Sequence, residues 1–222
     1  MIRQLAFDLP GTDAMTRADF FVAPSNALAL QAVEGWQDWP GAKLLLLGPE
    51  GAGKTHLAHV WAEAAGGVIL PASALDSVDI AALAGRRVAV EDAQLVGAGE
   101  AALFHLHNVV TTDGGALLLT ADAAPRDWGL RLADLLSRLQ AAPVARLEPP
   151  DEALLSAVLV KLFADRQLVV APNLIPYLVS RMQRSVGAAR ALVAALDNVA
   201  LSEGRAVTRV LAAEVLDSLG SG

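Results

Sequence analysis

Eight residues constrain this chain more than any others: Gly48-Pro49-Glu50-Gly51-Ala52-Gly53-Lys54-Thr55. They follow the apolar run Leu44-Leu45-Leu46-Leu47 and precede a stretch with helical spacing over 56–65. The pattern is G-x-x-x-x-G-K-[ST], with a strand before it and a helix after it, as the motif requires. Backbone amides of such a loop turn inward around phosphate oxygens, and the helix N-terminus adds its partial positive charge. Lys54 is expected to reach the β- and γ-phosphates of a nucleotide, and Thr55 to place its hydroxyl on Mg²⁺.

The rest of the chain supplies a scaffold of the matching kind. Apolar runs bounded by turn residues recur at Leu44–Leu47, Val68–Leu70, Val88–Val90, Ala116–Thr120 and Val144–Leu147, with helical patterns between them. That alternation predicts an α/β fold with a five-stranded parallel sheet flanked by helices, and ligands bind outside the carboxyl ends of such strands. A phosphate loop needs an acidic strand end beside it. Val88-Ala89-Val90-Glu91-Asp92 is the candidate, with one acid for Mg²⁺ and a neighbour for the attacking water. After Pro149-Pro150 the pattern becomes helical over 151–166, 173–183, 187–202 and 208–219, with only Leu168-Val169-Val170 resembling a strand. A proline pair is a natural break. The expected division is 1–12 as a terminal peptide and link, 13–148 as the nucleotide-binding domain, and 149–222 as a small helical lid. Residues 10–19, rich in Gly, Thr and Asp, read as a flexible link.

Composition excludes several classes. The chain has no cysteine, so disulfides and Cys-based zinc sites are out and a cytoplasmic protein is expected. No apolar run approaches the roughly 18 residues of a membrane span, and no signal-peptide core follows Arg3. The net charge is −7 and no basic stripe appears, which argues against strong direct DNA binding. A 54% apolar chain rich in Ala and Leu with little aromatic content reads as helix-rich, with either a large core or an apolar surface for a partner, a self-dimer included. The pairs His56/His59 and His105/His107 read as ordinary helix histidines rather than metal ligands.

Several motifs then coincide in order. Phe21–Ala29, with Asn26, is similar to an adenine-pocket segment of the AAA+ ATPases of the DnaA replication-initiator family. Gly48–Thr55 followed by His56-Leu57 resembles that family's Walker A, and Val90-Glu91-Asp92-Ala93-Gln94 its Walker B. Leu118–Asp122 resembles sensor 1, Leu136-Ser137-Arg138-Leu139 the arginine-finger box, Glu148–Asp151 the segment entering the lid, and Gly187–Leu192, with Arg190, sensor 2. The resemblance covers roughly 20–205 and is nearest to the family's short regulatory branch, the Hda type.

The resemblance implies an AAA+ P-loop NTPase with a helical lid. It implies ADP or ATP with Mg²⁺, held by Asn26, Pro49, Gly51, Ala52, Gly53, Lys54, Thr55, His56, Asp122 and Arg190, with Thr55 and Glu91 toward the metal. Arg138 would act in trans on the replication initiator DnaA, and Asp92 would be the Walker B acid, vestigial or not. Glu91 stands where the family has Asp, so the chain's own hydrolysis is expected to be weak or absent. The family initiator continues into a DNA-reading helix-turn-helix domain; none is expected here, in line with the acidic charge.

The opening Gln4-Leu5-Ala6-Phe7-Asp8-Leu9 resembles the hexapeptide that docks on the bacterial sliding clamp, the DNA polymerase III beta subunit. Gln4 would satisfy backbone groups at a pocket edge, while Leu5, Phe7 and Leu9 would meet apolar hollows. The expected function is a clamp-tethered negative regulator of replication initiation. An autonomous AAA+ ATPase and a nucleotide-gated adaptor remain open beside it.

Overall fold

Every residue of Ala116–Ala121 is buried, which marks a strand covered on both faces. The computed structural model describes residues 15–219. In it this strand, β4, lies at the centre of one parallel sheet with β1 (Lys43–Leu47), β2 (Val68–Pro71), β3 (Arg87–Glu91) and β5 (Val144–Arg146). The order is β2-β3-β4-β1-β5, with Leu45 opposite Leu119 and Ala89 opposite Leu118. The five runs expected to be strands are the five strands.

Alternate residues of each strand serve opposite layers, as the two-residue pleat demands. Leu44, Leu46, Ala89 and Leu118 pack under α1 (Ala27–Glu34) and α2 (Lys54–Ala65). Trp39 stacks on Trp61 within that layer, ring centroids 5.5 Å apart. Leu45, Leu47, Val88, Val90, Leu117 and Leu119 pack under α3 (Glu100–Thr112) and α4 (Ala133–Gln140). The topology also gathers chemistry at one edge. Because β1, β3 and β4 are parallel, the loop after β1, the acids ending β3, and Asp122 just past β4 share the carboxyl end of the sheet.

Beyond β5 the described chain is helical: α5 (Glu152–Asp165), α6 (Leu174–Val179), α7 (Val186–Glu203) and α8 (Arg209–Leu219). These helices close around a separate core that includes Leu155, Leu159, Phe163, Leu178, Leu192, Leu196 and Leu211. Side-chain caps begin two of them. Asp151 accepts from the Leu154 amide at 2.7 Å, and Ser185 Oγ accepts from the Ala188 amide at 2.9 Å.

Three expectations change. Leu168-Val169-Val170 is not a strand; Leu168 and Val170 drape on the helical core while Val169 is 94% exposed, and no neighbouring strand takes its backbone bonds. The helix expected over 173–183 stops at Val179, and a turn sends Met182 into the core instead. The described part of the link, 15–19, is pinned. Arg17 pairs with Glu34 at 2.5 Å, Asp19 with Lys161 of α5 at 3.1 Å, and the Thr16 carbonyl accepts from His56 at 2.9 Å. Gln4, Leu5, Phe7 and Leu9 lie outside the described residues. Among the described residues, no helix is long and apolar enough to cross a membrane.

Candidate functional site

A cleft of about 590 Å³ opens between the carboxyl edge of the sheet and the helical lid, within the size range of nucleotide-sized ligand sites. Its floor is the loop from Glu50 to Thr55, which runs into α2. Gly51 and Gly53 have φ of +72° and +105°, so the loop is drawn in a backbone shape that other residues resist. A methyl on Gly51 would come within 2.4 Å of Ser185 Cβ. The lid touches the loop there, and the Val186 amide donates to the Gly51 carbonyl at 3.0 Å.

Lys54 is buried and its three donors are all engaged. They meet the Gly48 carbonyl at 2.8 Å, the Pro49 carbonyl at 3.1 Å, and the Asp122 carboxylate in a direct ion pair. The pairing keeps a buried ammonium from standing uncompensated. An incoming phosphate would exchange for Asp122. Gln94 donates to the other Asp122 oxygen at 3.4 Å, while its own Oε1 is buried without a partner among the described residues. From the lid, Gly187 and Arg190 of α7 and Lys161 of α5 reach the opposite wall.

The two acids after β3 separate. Asp92, in a left-handed conformation at φ +51°, faces the cleft. Glu91 continues the face of Ala89, the face that α2 covers, and its Oε1 is buried without a hydrogen-bond partner among the described residues. A buried acceptor without a donor could take a cation, but Glu91 is not among the residues lining the cleft, whereas Thr55 is. No group of three or more His, Cys, Asp or Glu that could hold a metal occurs among the described residues. His56 and His59 do not join, one being buried and the other exposed.

Two residues expected on the nucleotide, Asn26 and His56, line the cleft but also bond the protein's own backbone. Asn26 borders the cleft, but its Oδ1 accepts from the Ala23 amide and its Nδ2 donates to the Phe21 carbonyl, both at 2.8 Å. It shapes the turn that presents Phe20 and Phe21. His56 donates from Nε2 to the Thr16 carbonyl and receives the edge of the Phe20 ring at 5.2 Å. Sequence reasoning missed Phe20, Ser185 and Lys161 as parts of the site; only folding brings the arm and the lid against the loop. Ala52, Gly53, Thr55, Asp122 and Arg190 stand at the cleft as expected, whereas Pro49 contributes its carbonyl to Lys54 rather than a wall.

Arg138 is elsewhere. It is exposed on α4, outside the cleft of its own chain, and its guanidinium lies over the Phe104 ring of α3 at 5.3 Å.

Burial pushes the His56 imidazole below its ordinary 6.5, and it does the same to His107, where Lys43 adds to the effect. The unfolded chain therefore takes up protons near 6.5 that the native chain refuses. The stability these histidines contribute is complete above that value and is lost as pH falls below it. Asp19, held low chiefly by the Thr16 hydroxyl, matters only below 3.8. The melting temperature is expected to fall as pH drops below about 6.5. A His56→Gln/His107→Gln double variant should flatten that slope; an unchanged slope would assign it to other groups.

No protein-family model matches the sequence. Solved structures do match the fold. Domain III of the replication initiation protein DnaA from Thermotoga maritima aligns with a TM-score of 0.81 over 92% of this chain and 96% of that one, at 22% identity. AMPPCP-bound DnaA from Aquifex aeolicus aligns with a TM-score of 0.65 at 19% identity, covering 83% of this chain and 65% of that one. An FIGL-1 AAA domain in complex with ADP gives 0.62 at 14% identity over 86% of this chain and 78% of that one. The chain thus shares the fold of these domains, a parallel five-stranded sheet with flanking helices followed by a helical segment.

Proposed function

We propose that this chain holds an adenine nucleotide in its own cleft and acts on a second AAA+ protein, the bacterial replication initiator, by presenting Arg138 in trans. The observation that carries the reading is the location of Arg138: exposed on α4 and outside its own phosphate site. A guanidinium in that position serves a nucleotide on another chain, where it can neutralise charge developing on the transferring phosphoryl group. The likeness to initiator structures, one of them bound to AMPPCP, supports both the adenine nucleotide and the choice of partner.

Within the chain's own site, the Gly51–Gly53 backbone and Lys54 would hold the phosphates, and Arg190 would close on them from α7. Thr55 and Glu91 would hold Mg²⁺, which supplies charge neutralisation between the β- and γ-phosphates. The longer Glu91 side chain would make the chain's own turnover slow, leaving nucleotide, ADP included, in the cleft. Conversion of the initiator to its ADP form makes the chain a negative regulator of initiation. Gln4, Leu5, Phe7 and Leu9 would tether it to the sliding clamp, raising the effective concentration at the fork without a strong individual contact.

The test is the loss of initiator-bound ATP in a single turnover, with the chain and with clamp loaded on DNA. The chain should accelerate it, and a chain lacking residues 1–9 should lose the clamp-dependent part while still binding nucleotide. No acceleration at any concentration of the full chain would overturn the reading. If instead the chain alone turns over ATP at about 1 per second or more, an autonomous ATPase is the better account.

A further inference from the structure

α3 and α4 meet at a cluster that the nucleotide cleft does not use. Phe104 and His107 stand one turn apart on α3, Arg138 projects from the last turn of α4, and Lys43 opens β1. The Arg138 guanidinium sits 5.3 Å from the centre of the Phe104 ring. Lys43 Nζ lies 3.0 Å from His107 Nε2, and His107 itself is buried. An ammonium has no acceptor, so Lys43 donates and the imidazole is neutral, with its Nδ1–H turned toward Asn108 at 3.4 Å. Among the described residues, neither Lys43 nor Arg138 forms an ion pair with a carboxylate. The charge of Arg138 reaches both Lys43 and His107, favouring their neutral forms.

Two forces therefore act on one exposed guanidinium. The ring face attracts it through the aromatic quadrupole, and a like charge behind it repels it toward solvent. Each alone is weak. Together they restrict a long side chain that would otherwise sample many rotamers.

We infer that Phe104 is a positioning residue for Arg138, an aromatic platform on which α3 presents the guanidinium, with Lys43 at its back, to the phosphates of a nucleotide held by a second protein. This rests on the trans reading of Arg138. Phe104 touches no phosphate; it acts by reducing the ordering that Arg138 must undergo, within the assembled complex, to reach the transferring phosphoryl group.

The experiment is single-turnover loss of ATP from the replication initiator at increasing concentrations of the full chain. Phe104→Leu keeps an apolar side chain and removes the ring; Phe104→Tyr keeps the ring. Phe104→Leu is expected to lower the maximal stimulated rate about five-fold or more while moving the half-saturating concentration less than two-fold, and Phe104→Tyr to restore the rate. Nucleotide binding to the chain's own cleft and the melting temperature of Phe104→Tyr should match the parent. A wild-type maximal rate in Phe104→Leu, a change confined to half-saturation, or an equal loss in Phe104→Tyr would each overturn the inference. Loss of stimulation in Arg138→Ala alongside such a result leaves the trans reading standing. Stimulation that survives Arg138→Ala removes the reading itself.

Discussion

Arg138→Ala is expected to return initiator-bound ATP to its unstimulated rate of hydrolysis, a loss of roughly 10³–10⁵ when the finger is supplied in trans. The variant should otherwise be quiet. Arg138 is exposed and makes no ion pair among the described residues, so its removal costs only the contact with Phe104, about 0.5–1 kcal/mol at an exposed site. It lies outside the cleft, so the chain's own nucleotide affinity should be unchanged. The measurement is paired: stimulation in single turnover, and nucleotide titration of the variant by itself. Loss of both would place Arg138 in a structural role. Retention of both would end the trans mechanism.

Gly51→Ala is expected to weaken nucleotide binding about 100-fold or more. The new methyl would lie 2.4 Å from Ser185 Cβ and 2.7 Å from Ser185 Oγ, inside any tolerable contact. The φ of +72° adds strain of roughly 1–2 kcal/mol for a residue with a Cβ. The loop can relieve both only by moving, which breaks the Val186–Gly51 hydrogen bond and opens the lid. A Gly51→Ala/Ser185→Gly double variant separates the two costs. It should recover the part due to the clash and leave the part due to φ. A single variant that binds nucleotide normally would mean that the lid does not hold the phosphate loop in this way.

Much of the site was legible in the sequence because its logic is local. Gly48–Thr55 specifies its own geometry through glycines and a following helix, and strand-loop-helix context needs no distant contact. The strands were legible because burial on both faces leaves continuous apolar runs such as Ala116–Leu119. What failed was also physical. Leu168-Val169-Val170 has strand composition, yet a strand exists only where a neighbour supplies its hydrogen bonds, and among the helices of the lid none does. Asn26 and His56 line the cleft, but the Asn26 amide and His56 Nε2 are committed to the Ala23, Phe21 and Thr16 backbones, contacts that no local pattern announces.

By itself, then, the sequence determined a phosphate-binding loop, a parallel sheet to carry it and a helical segment after Pro149-Pro150, because each follows from residue spacing within one element. Tertiary structure alone decided which side chains face the cleft. It brought Asp122 onto Lys54 across strand order β2-β3-β4-β1-β5, and it set Ser185 against Gly51. It turned Arg138 away from its own cleft and onto Phe104. Those choices depend on contacts between residues far apart in the chain, and periodicity within an element carries no information about them.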